Sequence, residues 1–181
     1  MFNVRFHGRG GQGVVTAAEM LSVAAFDSGR HAQAFPTFGS ERTGAPVTSF
    51  CRIDDAPIRF HEPIDTPHAV VIQDPTLLPV VPVLQGVTPA TYVLVNTSRT
   101  PAELGLDEVR RVTTVPATEL ARQVLGRPLP NTALLGALAG LTGVVSLDAL
   151  VDAIRQRFTG TVADANVEIA VRAHAGVVTH A

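Results

Sequence analysis

The sequence predicts an α/β fold in which a Rossmann-like, mostly parallel sheet is flanked by helices, with a helical carboxyl-terminal third. Three observations support this prediction. A strand pattern, a glycine-rich turn and a helix pattern follow one another in residues 1–27. Short apolar runs then alternate with turns and helical segments up to residue 125. Beyond residue 130 the apolar side chains recur at helical spacing. We expect one domain over residues 1–181.

The first βα unit is the clearest local pattern. Residues 1–6 alternate between apolar and polar side chains, which predicts a strand. Residues 13–27 place apolar side chains at helical spacing without an interrupting Gly or Pro. The turn between them is rich in glycine, which tolerates unusual backbone angles and close approach of a ligand. The unpaired N–H groups at the start of the helix would suit an anion.

The remaining elements follow in order. Strands are expected at residues 30–35, 47–53, 68–73, 92–96 and 111–115, with residues 58–60 as a candidate hairpin partner of the third strand. Residues 77–84 carry two prolines and predict at best a short or broken helix. Helices are expected at residues 118–125, at 132–141 with Asn131 as cap, up to 158 with Ser146 or Asp148 as cap, and at 161–174.

The predicted helix at residues 132–141 is apolar on nearly every side. Such a helix is buried between other elements or against a partner subunit. The sequence leaves these two alternatives open.

The glycine turn also satisfies the G-x-G-x-x-G spacing of dinucleotide-binding folds through Gly8, Gly10 and Gly13. That fingerprint expects an acid at the end of the second strand to hold the ribose hydroxyls. Residues 33–36 contain no acid, and Asp27 falls inside the preceding helix. A nicotinamide or flavin site is therefore disfavoured.

A second glycine-bracketed loop covers residues 36–46 and contains the adjacent Glu41 and Arg42. Because it follows the second strand, we expect it at the carboxyl ends of the strands, beside the glycine turn. The alternative is a solvated ion pair on a surface turn, worth at most about 1 kcal/mol.

The composition excludes several classes of function. The net charge of -2 predicts no nucleic-acid partner. All 14 basic residues are arginine, so Schiff-base and phosphate-loop lysine chemistry is absent. The one cysteine, Cys51, cannot hold an iron–sulfur cluster or a structural zinc ion by itself, and we expect it to be buried. We see no signal peptide or membrane segment and expect a cytoplasmic protein.

No catalytic or metal-binding constellation is predicted. The six histidines show no metal-ligand spacing, and there is no Gly-x-Ser-x-Gly elbow. His7, placed in the glycine turn, could hydrogen-bond a phosphate or thiol substrate or simply cap the loop.

Several stretches together resemble a known family. They are FHGRGGQGVVTAA at residues 6–18, FGSERTGAPV at residues 38–47, NTALLGA at residues 131–137, and Asn166. They are similar to the gamma subunit of the 2-oxoacid:ferredoxin oxidoreductases, the pyruvate synthase family, over essentially the whole chain. Thr43 departs from the pattern, since many members carry a second arginine there.

The resemblance implies a subunit of an enzyme that oxidatively decarboxylates a 2-oxoacid to acyl-coenzyme A and carbon dioxide and reduces ferredoxin. The expected 2-oxoacid is pyruvate, and the subunit is not catalytic alone. Its implied partners are alpha, beta and ferredoxin-like delta subunits, with ferredoxin as electron acceptor. Thiamine diphosphate and iron–sulfur clusters are expected on those partners, and neither nucleic acid nor membrane is expected.

The resemblance also makes this chain a candidate contributor to the coenzyme A site. The expected cofactor-binding residues are Gly10, Gly11, Gln12 and Gly13, with Arg9 or Arg42 supplying charge. Three alternatives remain: the glycine turn is only a packing corner, the chain is a purely structural assembly subunit, or it is a stand-alone dinucleotide-binding domain.

Overall fold

The computed structural model describes residues 1–37 and 43–178. Its strands are β1 (Phe2–Arg9), β2 (His31–Pro36), β3 (Pro46–Asp54), β4 (Ala69–Ile72), β5 (Tyr92–Asn96) and β6 (Val112–Val115). Its helices are α1 (Val14–Asp27), α2 (Ala117–Leu125), α3 (Asn131–Thr142), α4 (Leu147–Arg157) and α5 (Gly160–Val178). Two short 3-10 turns lie at Pro75–Leu77 and Ala102–Leu104.

The strands form one six-stranded sheet in the order β2-β3-β1-β4-β5-β6. Strands β1, β4, β5 and β6 are parallel, whereas β3 pairs antiparallel with both β1 and β2. Because β1 and β2 both oppose β3, they run in the same direction and end at the same edge of the sheet. The prediction of an α/β fold with a mostly parallel sheet is therefore confirmed.

The five helices pack on one face of the sheet and form the larger core with it. The other face is covered by irregular segments and the two 3-10 turns, around a smaller cluster that includes Leu77, Val83 and Leu106. The strands alternate between these two cores, as Val70 and Val71 show. Within the described part of the chain, no helix has both the length and the hydropathy needed to cross a bilayer.

Two strand predictions were wrong in detail. Strand β1 continues to Arg9, because its pairing with β3 extends through Gly8 opposite Val47. His7 and Gly8 therefore lie in the strand and not in the turn. The expected hairpin partner at residues 58–60 is not a strand, because β1 and β2 already pair with both edges of β3.

The helix boundaries also moved. Asn131 is the first residue of α3 and Pro130 occupies the cap position, so the predicted Asn131 cap was wrong. At α4 the cap is Ser146, whose hydroxyl accepts a hydrogen bond from the Ala149 N–H at 3.1 Å. Helix α5 is longer at both ends than predicted, running over Gly160–Val178.

Helix α3 is the buried centre of the helical layer. Every residue from 131 to 139 is buried, and the helix packs on α5, α4, α1 and β5. Gly136 lies so close to α5 that a Cβ there would overlap the carbonyl oxygen of Ala170. The apolar surface of this helix is therefore buried against other elements of the same chain. Of the two alternatives that the sequence left open, burial within the chain is the one observed.

Candidate functional site

The turn between β1 and α1, residues 10–13, lies at the edge where β1 and β2 end. We call it the glycine loop. Gly11 and Gly13 have φ angles of 92° and 73°, a region that disfavours residues with a Cβ. The Gly10 N–H donates to the Ala45 carbonyl at 2.9 Å, and Gly44 donates back to the Gly10 carbonyl at 3.1 Å.

These bonds confirm that the described end of the loop after β2 lies beside the glycine turn. The pairing involves Thr43, Gly44 and Ala45. The predicted charge donor Arg42 and its neighbour Glu41 fall outside the described residues.

The glycine loop offers a run of free N–H groups. Those of Gly10 and Gln12 are engaged, the latter with the Arg9 carbonyl at 3.1 Å. The first bond of α1 runs from Ala17 to Gly13. Within the described residues no hydrogen bond is made by the main-chain N–H of these five residues: Gly11, Gly13, Val14, Val15 and Thr16. Such groups, with the positive end of the helix dipole behind them, form an anion-binding surface.

The side chains of Arg9, at the end of β1, and of Gln12, in the loop, bond to one carboxylate that follows β4. Arg9 donates from Nε to Asp74 Oδ2 at 3.0 Å, and Gln12 donates from Nε2 to the same oxygen at 3.0 Å. Arg9 also reaches the Gly44 carbonyl and the Thr76 hydroxyl, at 3.0 and 2.9 Å. Gln12 accepts from the Arg9 N–H through Oε1 at 2.7 Å. We call these four side chains, Arg9, Gln12, Asp74 and Thr76, the Asp74 network.

Asp74 remains ionised within this network. Partial burial raises the pKa of Asp74. The hydrogen bonds from Thr76 and Gln12 and the charge of Arg9 lower it by a larger amount, so the net shift of the pKa is downward. The carboxylate therefore neutralises Arg9. The expected ligand-binding roles of Arg9 and Gln12 stay predictions, and the geometry shows both side chains bracing the loop.

On its other side the glycine loop borders a cleft of about 430 Å³ beneath the start of α3, which we call the α3 cleft. Its polar lining includes Thr16, Arg127, Asn131 and Arg157, and its apolar lining includes Phe158. Among the residues that the structure describes, no Asp or Glu lines it. Arg127 and Arg157 are exposed and make no ion pair or side-chain hydrogen bond with any described residue.

Asn131 closes the inner wall of the α3 cleft. Its side chain is 6% exposed, and its Oδ1 accepts from the Thr132 N–H at 3.0 Å. Its Nδ2 has no partner among the described residues and lies 2.7 Å from the point that a Cβ of Gly13 would occupy. Gly13 is thus needed both for its φ angle and for the approach of Asn131. Behind it, Thr132 donates its hydroxyl hydrogen to Asn166 Oδ1 at 2.9 Å.

Two further clefts touch the glycine loop. One of about 430 Å³ lies towards β3, and the only charged residue among its described lining is Arg9, which Asp74 neutralises. The other, of about 610 Å³, lies over β4 and β5 and contains Asp74, Glu119 and Arg122. Of the three, only the α3 cleft is lined by cations without a counter-charge and by no acid, as far as the described residues are concerned.

Sequence reasoning missed Arg127, Arg157 and the contact between Asn131 and Gly13. The arginines belong to no spacing motif and lie 30 residues apart. The available signal was weak: Arg127 shortly precedes Asn131, which the sequence had singled out. The fold alone brings Arg157 to the same cleft.

His7 does not line any of the three clefts. It is buried in β1, where Nδ1 lies 3.2 Å from the Thr48 hydroxyl. Burial, with a smaller contribution from Arg5, lowers its pKa to about 4, so the ring is neutral near pH 7. Among the described residues no group of three His, Cys, Asp or Glu side chains could hold a metal.

Comparison with known proteins supplies the family. The family model for pyruvate ferredoxin/flavodoxin oxidoreductase matches residues 3–175. The pyruvate/ketoisovalerate oxidoreductases common subunit gamma of Thermococcus kodakarensis is 46% identical over 177 residues, which cover 96% of this chain and 95% of that one.

Solved structures agree. The crystal structure of the pyruvate oxidoreductase subunit PORC from Thermotoga maritima superposes with a TM-score of 0.86 at 37% identity, covering 96% of this chain and 95% of that one. A 2-oxoglutarate:ferredoxin oxidoreductase from Magnetococcus marinus, solved with 2-oxoglutarate, coenzyme A and succinyl-CoA bound, shares the fold with a TM-score of 0.76. At 19% identity, over 99% of this chain and 31% of that one, it shows the fold alone. The chain therefore belongs to the pyruvate ferredoxin/flavodoxin oxidoreductase family, as a gamma subunit that is not catalytic on its own.

Proposed function

We propose that this gamma subunit helps to bind coenzyme A in a complex that oxidatively decarboxylates a 2-oxoacid to acyl-coenzyme A and carbon dioxide. The 2-oxoacid that we propose is pyruvate. The observation that carries the proposal is that five main-chain N–H groups between Gly11 and Thr16, those of every residue except Gln12, make no hydrogen bond with any described residue and face the clefts around the glycine loop. Coenzyme A carries phosphate groups, which such a helix terminus binds well. That a larger chain of the same fold occurs in a structure with bound coenzyme A supports the choice of ligand.

The remaining cofactors belong, in this proposal, to partner subunits. Cys51 is fully buried in β3, and burial raises the pKa of its thiol, so it presents no thiolate to a cluster. Alpha, beta and ferredoxin-like delta subunits would carry thiamine diphosphate and the iron–sulfur clusters, and ferredoxin would accept the electrons. This chain would act as one gamma-type domain over residues 1–181.

The division of labour around the loop follows from its contacts. The N–H groups of Gly11 and of the first turn of α1 would hold phosphate oxygens. Arg9 and Gln12 would fix the shape of the loop through Asp74. Arg42, which lies outside the described residues, is proposed as a further cation.

The test uses the reconstituted complex and compares Gly11→Ala with Gly29→Ala. Both glycines have positive φ angles, 92° and 80°, and a Cβ at either would meet no atom within 4 Å. The two changes therefore impose similar backbone strain, but only Gly11 lies in the glycine loop. We expect Gly11→Ala to raise the KM for coenzyme A about tenfold, since misdirecting one or two N–H groups costs about 1.5 kcal/mol. Gly29→Ala should leave it unchanged.

Assembly must be followed in the same experiment. An unchanged KM for coenzyme A in Gly11→Ala and in Arg42→Ala, together with weaker co-purification of the partner subunits, would reject the proposal in favour of a structural corner. A KM that rises for pyruvate as much as for coenzyme A would also count against it, because the loop would then act on the whole complex.

A further inference from the structure

We propose that the free edge of the sheet at β6, with the groove beside it, binds an extended segment of another subunit of the enzyme. The segment would pair with β6 as an additional strand, direct large apolar side chains into the groove and carry a basic residue. The inference goes beyond the coenzyme A proposal and does not rest on it. The described residues that line this groove include none of the glycine loop.

The main chain of β6 is the first argument. Among the described strands β6 pairs only with β5 and forms one edge of the sheet. The Val93 N–H donates to the Arg111 carbonyl at 2.8 Å, so Arg111 faces β5. Because alternate residues of a strand face the same neighbour, Val112 and Thr114 direct their N–H and C=O groups away from the sheet. Such a row of unpaired groups is a template for another strand.

The two edges of the sheet differ in protection. At the β2 edge the Thr37 N–H donates to the Thr48 carbonyl at 2.9 Å, so the alternating residues Pro36 and Ala34 face outward. Proline has no N–H and hinders the addition of a strand. In contrast, Val112–Val115 contains only Val and Thr, without a proline or a charge. This composition favours strand pairing and indicates an edge that is covered in the assembled enzyme.

A groove of about 680 Å³ lies along β6 on the helical face of the sheet, between α2 and α5. We call it the β6 groove. Its apolar lining includes Leu120, Leu141 and Val177. Gly176 leaves one wall open, since a Cβ there would meet no atom within 4 Å. A strand added to β6 places every second side chain on this face, where the groove has room for large apolar groups.

The size of the β6 groove favours another subunit over a second copy of this chain. If β6 of one copy paired with β6 of another, the strand would offer only valine and threonine side chains. On the helical face Val115 is already buried in the larger core, which leaves Thr113 to enter the groove. One threonine would leave most of that volume empty, and unfilled apolar space forfeits packing contacts.

The charge of the β6 groove indicates the basic residue. Glu119, in the first turn of α2, is exposed and makes no ion pair or side-chain hydrogen bond with any described residue. The other charged residue of the described lining, Arg172, is paired with Glu168 on the same helix. The groove therefore carries one uncompensated negative charge, which a Lys or Arg of the incoming segment would complement.

The test is a competition for assembly. Parent and variant chains are co-expressed in equal amounts with the other subunits, and mass spectrometry measures their ratio in the purified complex. Thr114→Pro removes an outward N–H without removing a bond to β5, and Gly176→Phe fills the groove without altering the strand. We expect each variant to be incorporated about tenfold less than the parent. Glu119→Gln should lower incorporation about threefold, as for an exposed ion pair.

Ala34→Pro is the matched control. It removes an outward N–H at the opposite edge of the same sheet, so it should be incorporated as well as the parent. The melting temperature of each free subunit is measured in parallel. If Thr114→Pro lowers that temperature, Gly176→Phe alone decides the outcome.

Hydrogen–deuterium exchange over residues 110–116 gives a second readout. We expect the outward amides of Val112 and Thr114 to exchange rapidly in the free subunit and at least about tenfold more slowly in the complex. The outward amide of Ala34 should exchange at the same rate in both.

Two results would overturn the proposal. The first is incorporation of Gly176→Phe equal to that of the parent, with no slowing of exchange at β6 in the complex. The second is a dimer of the free subunit, seen by sedimentation, that Thr114→Pro dissociates, because the edge would then bind a second copy.

Discussion

The two sides of the glycine loop differ in whether their arginine side chains have a carboxylate partner. Towards β4, the polar side chains of the motif, Arg9 and Gln12, donate hydrogen bonds to Asp74. The Asp74 network thereby holds the turn against the segment that follows β4. Towards α3, Arg127 and Arg157 come from no motif and have no polar partner among the described residues. The difference teaches that the polar residues inside a binding motif can serve its shape, while residues distant in sequence offer the free charge.

The largest expected effect comes from moving α3 itself. Gly136→Ala would place a methyl group on the carbonyl oxygen of Ala170 and push α3 from α5, costing about 3 kcal/mol. The α3 side of the loop should lose its geometry, because Asn131 begins the same helix. Urea unfolding of the subunit measures the cost.

Gly176→Ala is the control, since it lies in α5 with no atom within 4 Å of the added methyl. It should stabilise the subunit by about 0.5–1 kcal/mol. Equal destabilisation by the two changes would refute the close contact between α3 and α5.

Asp74→Ala tests the β4 side. It removes a carboxylate that accepts from Arg9, Gln12 and Thr76, and leaves their donors unpaired. We expect a loss of about 2–3 kcal/mol in the free energy of unfolding. Asp164→Ala, which breaks the exposed pair with Arg155, should cost less than about 1 kcal/mol. If the two cost the same, the Asp74 network does not stabilise the loop.

Lowering the pH should first destabilise the fold through His7 in β1, the strand that leads into the glycine loop. The pKa of His7 is about 4 in the folded chain against 6.5 as its usual value, so below pH 6.5 the unfolded chain takes up a proton that the folded chain refuses. Stability should therefore fall between pH 6.5 and 4, by on the order of 2 kcal/mol. The contribution of Asp74, whose pKa lies below its usual 3.8, should persist through that interval and disappear only at lower pH.

Equilibrium unfolding at a series of pH values checks this order. His7→Gln should flatten the profile between pH 4 and 6.5, and His31→Gln, at an exposed position, should not. A profile unaffected by His7→Gln would show that another group controls the acid response.

The smallest effect is expected from Arg9→Lys. An ammonium group cannot reproduce the donors that Arg9 directs at Asp74, Gly44 and Thr76, so stability should fall by about 1 kcal/mol. The KM for coenzyme A should change less than about threefold, because the charge of Arg9 is already neutralised. A tenfold rise with unchanged stability would instead make Arg9 a ligand, and the contrast between the two sides would disappear.

Much of the fold was predictable because its signals are local. Alternation located β1 and β3, helical spacing located α1, and glycine marked the turn between them. The insertion of β3 between β1 and β2 was not predictable, because periodicity says nothing about which strands pair or in which direction. That insertion places the end of β2 about 10 Å from β1, which agrees with the missing ribose acid there.

The site was predictable only in part. Its backbone could be inferred from the glycines, whose conformational role depends on the turn alone. The Asp74 network could not, since Asp74 follows Arg9 by 65 residues and the two meet only through the pairing of β1 with β4. Arg127 and Arg157 required the packing of the helical layer. Arg42 remains a prediction, outside the described residues.

The contact between Asn131 and Gly13 joins the first turn of the chain to its last third. The cleft they border therefore does not exist until the carboxyl-terminal helices have folded onto the sheet, and an unfolded chain has nothing equivalent to offer a ligand. Any molecule that occupies the cleft must then act as a folding ligand. At a concentration one hundred times its Kd it would add about 2.7 kcal/mol to the stability of the subunit. The stability of the subunit in cells would thus rise with the concentration of the ligand. A subunit without ligand would be degraded faster than one with ligand bound.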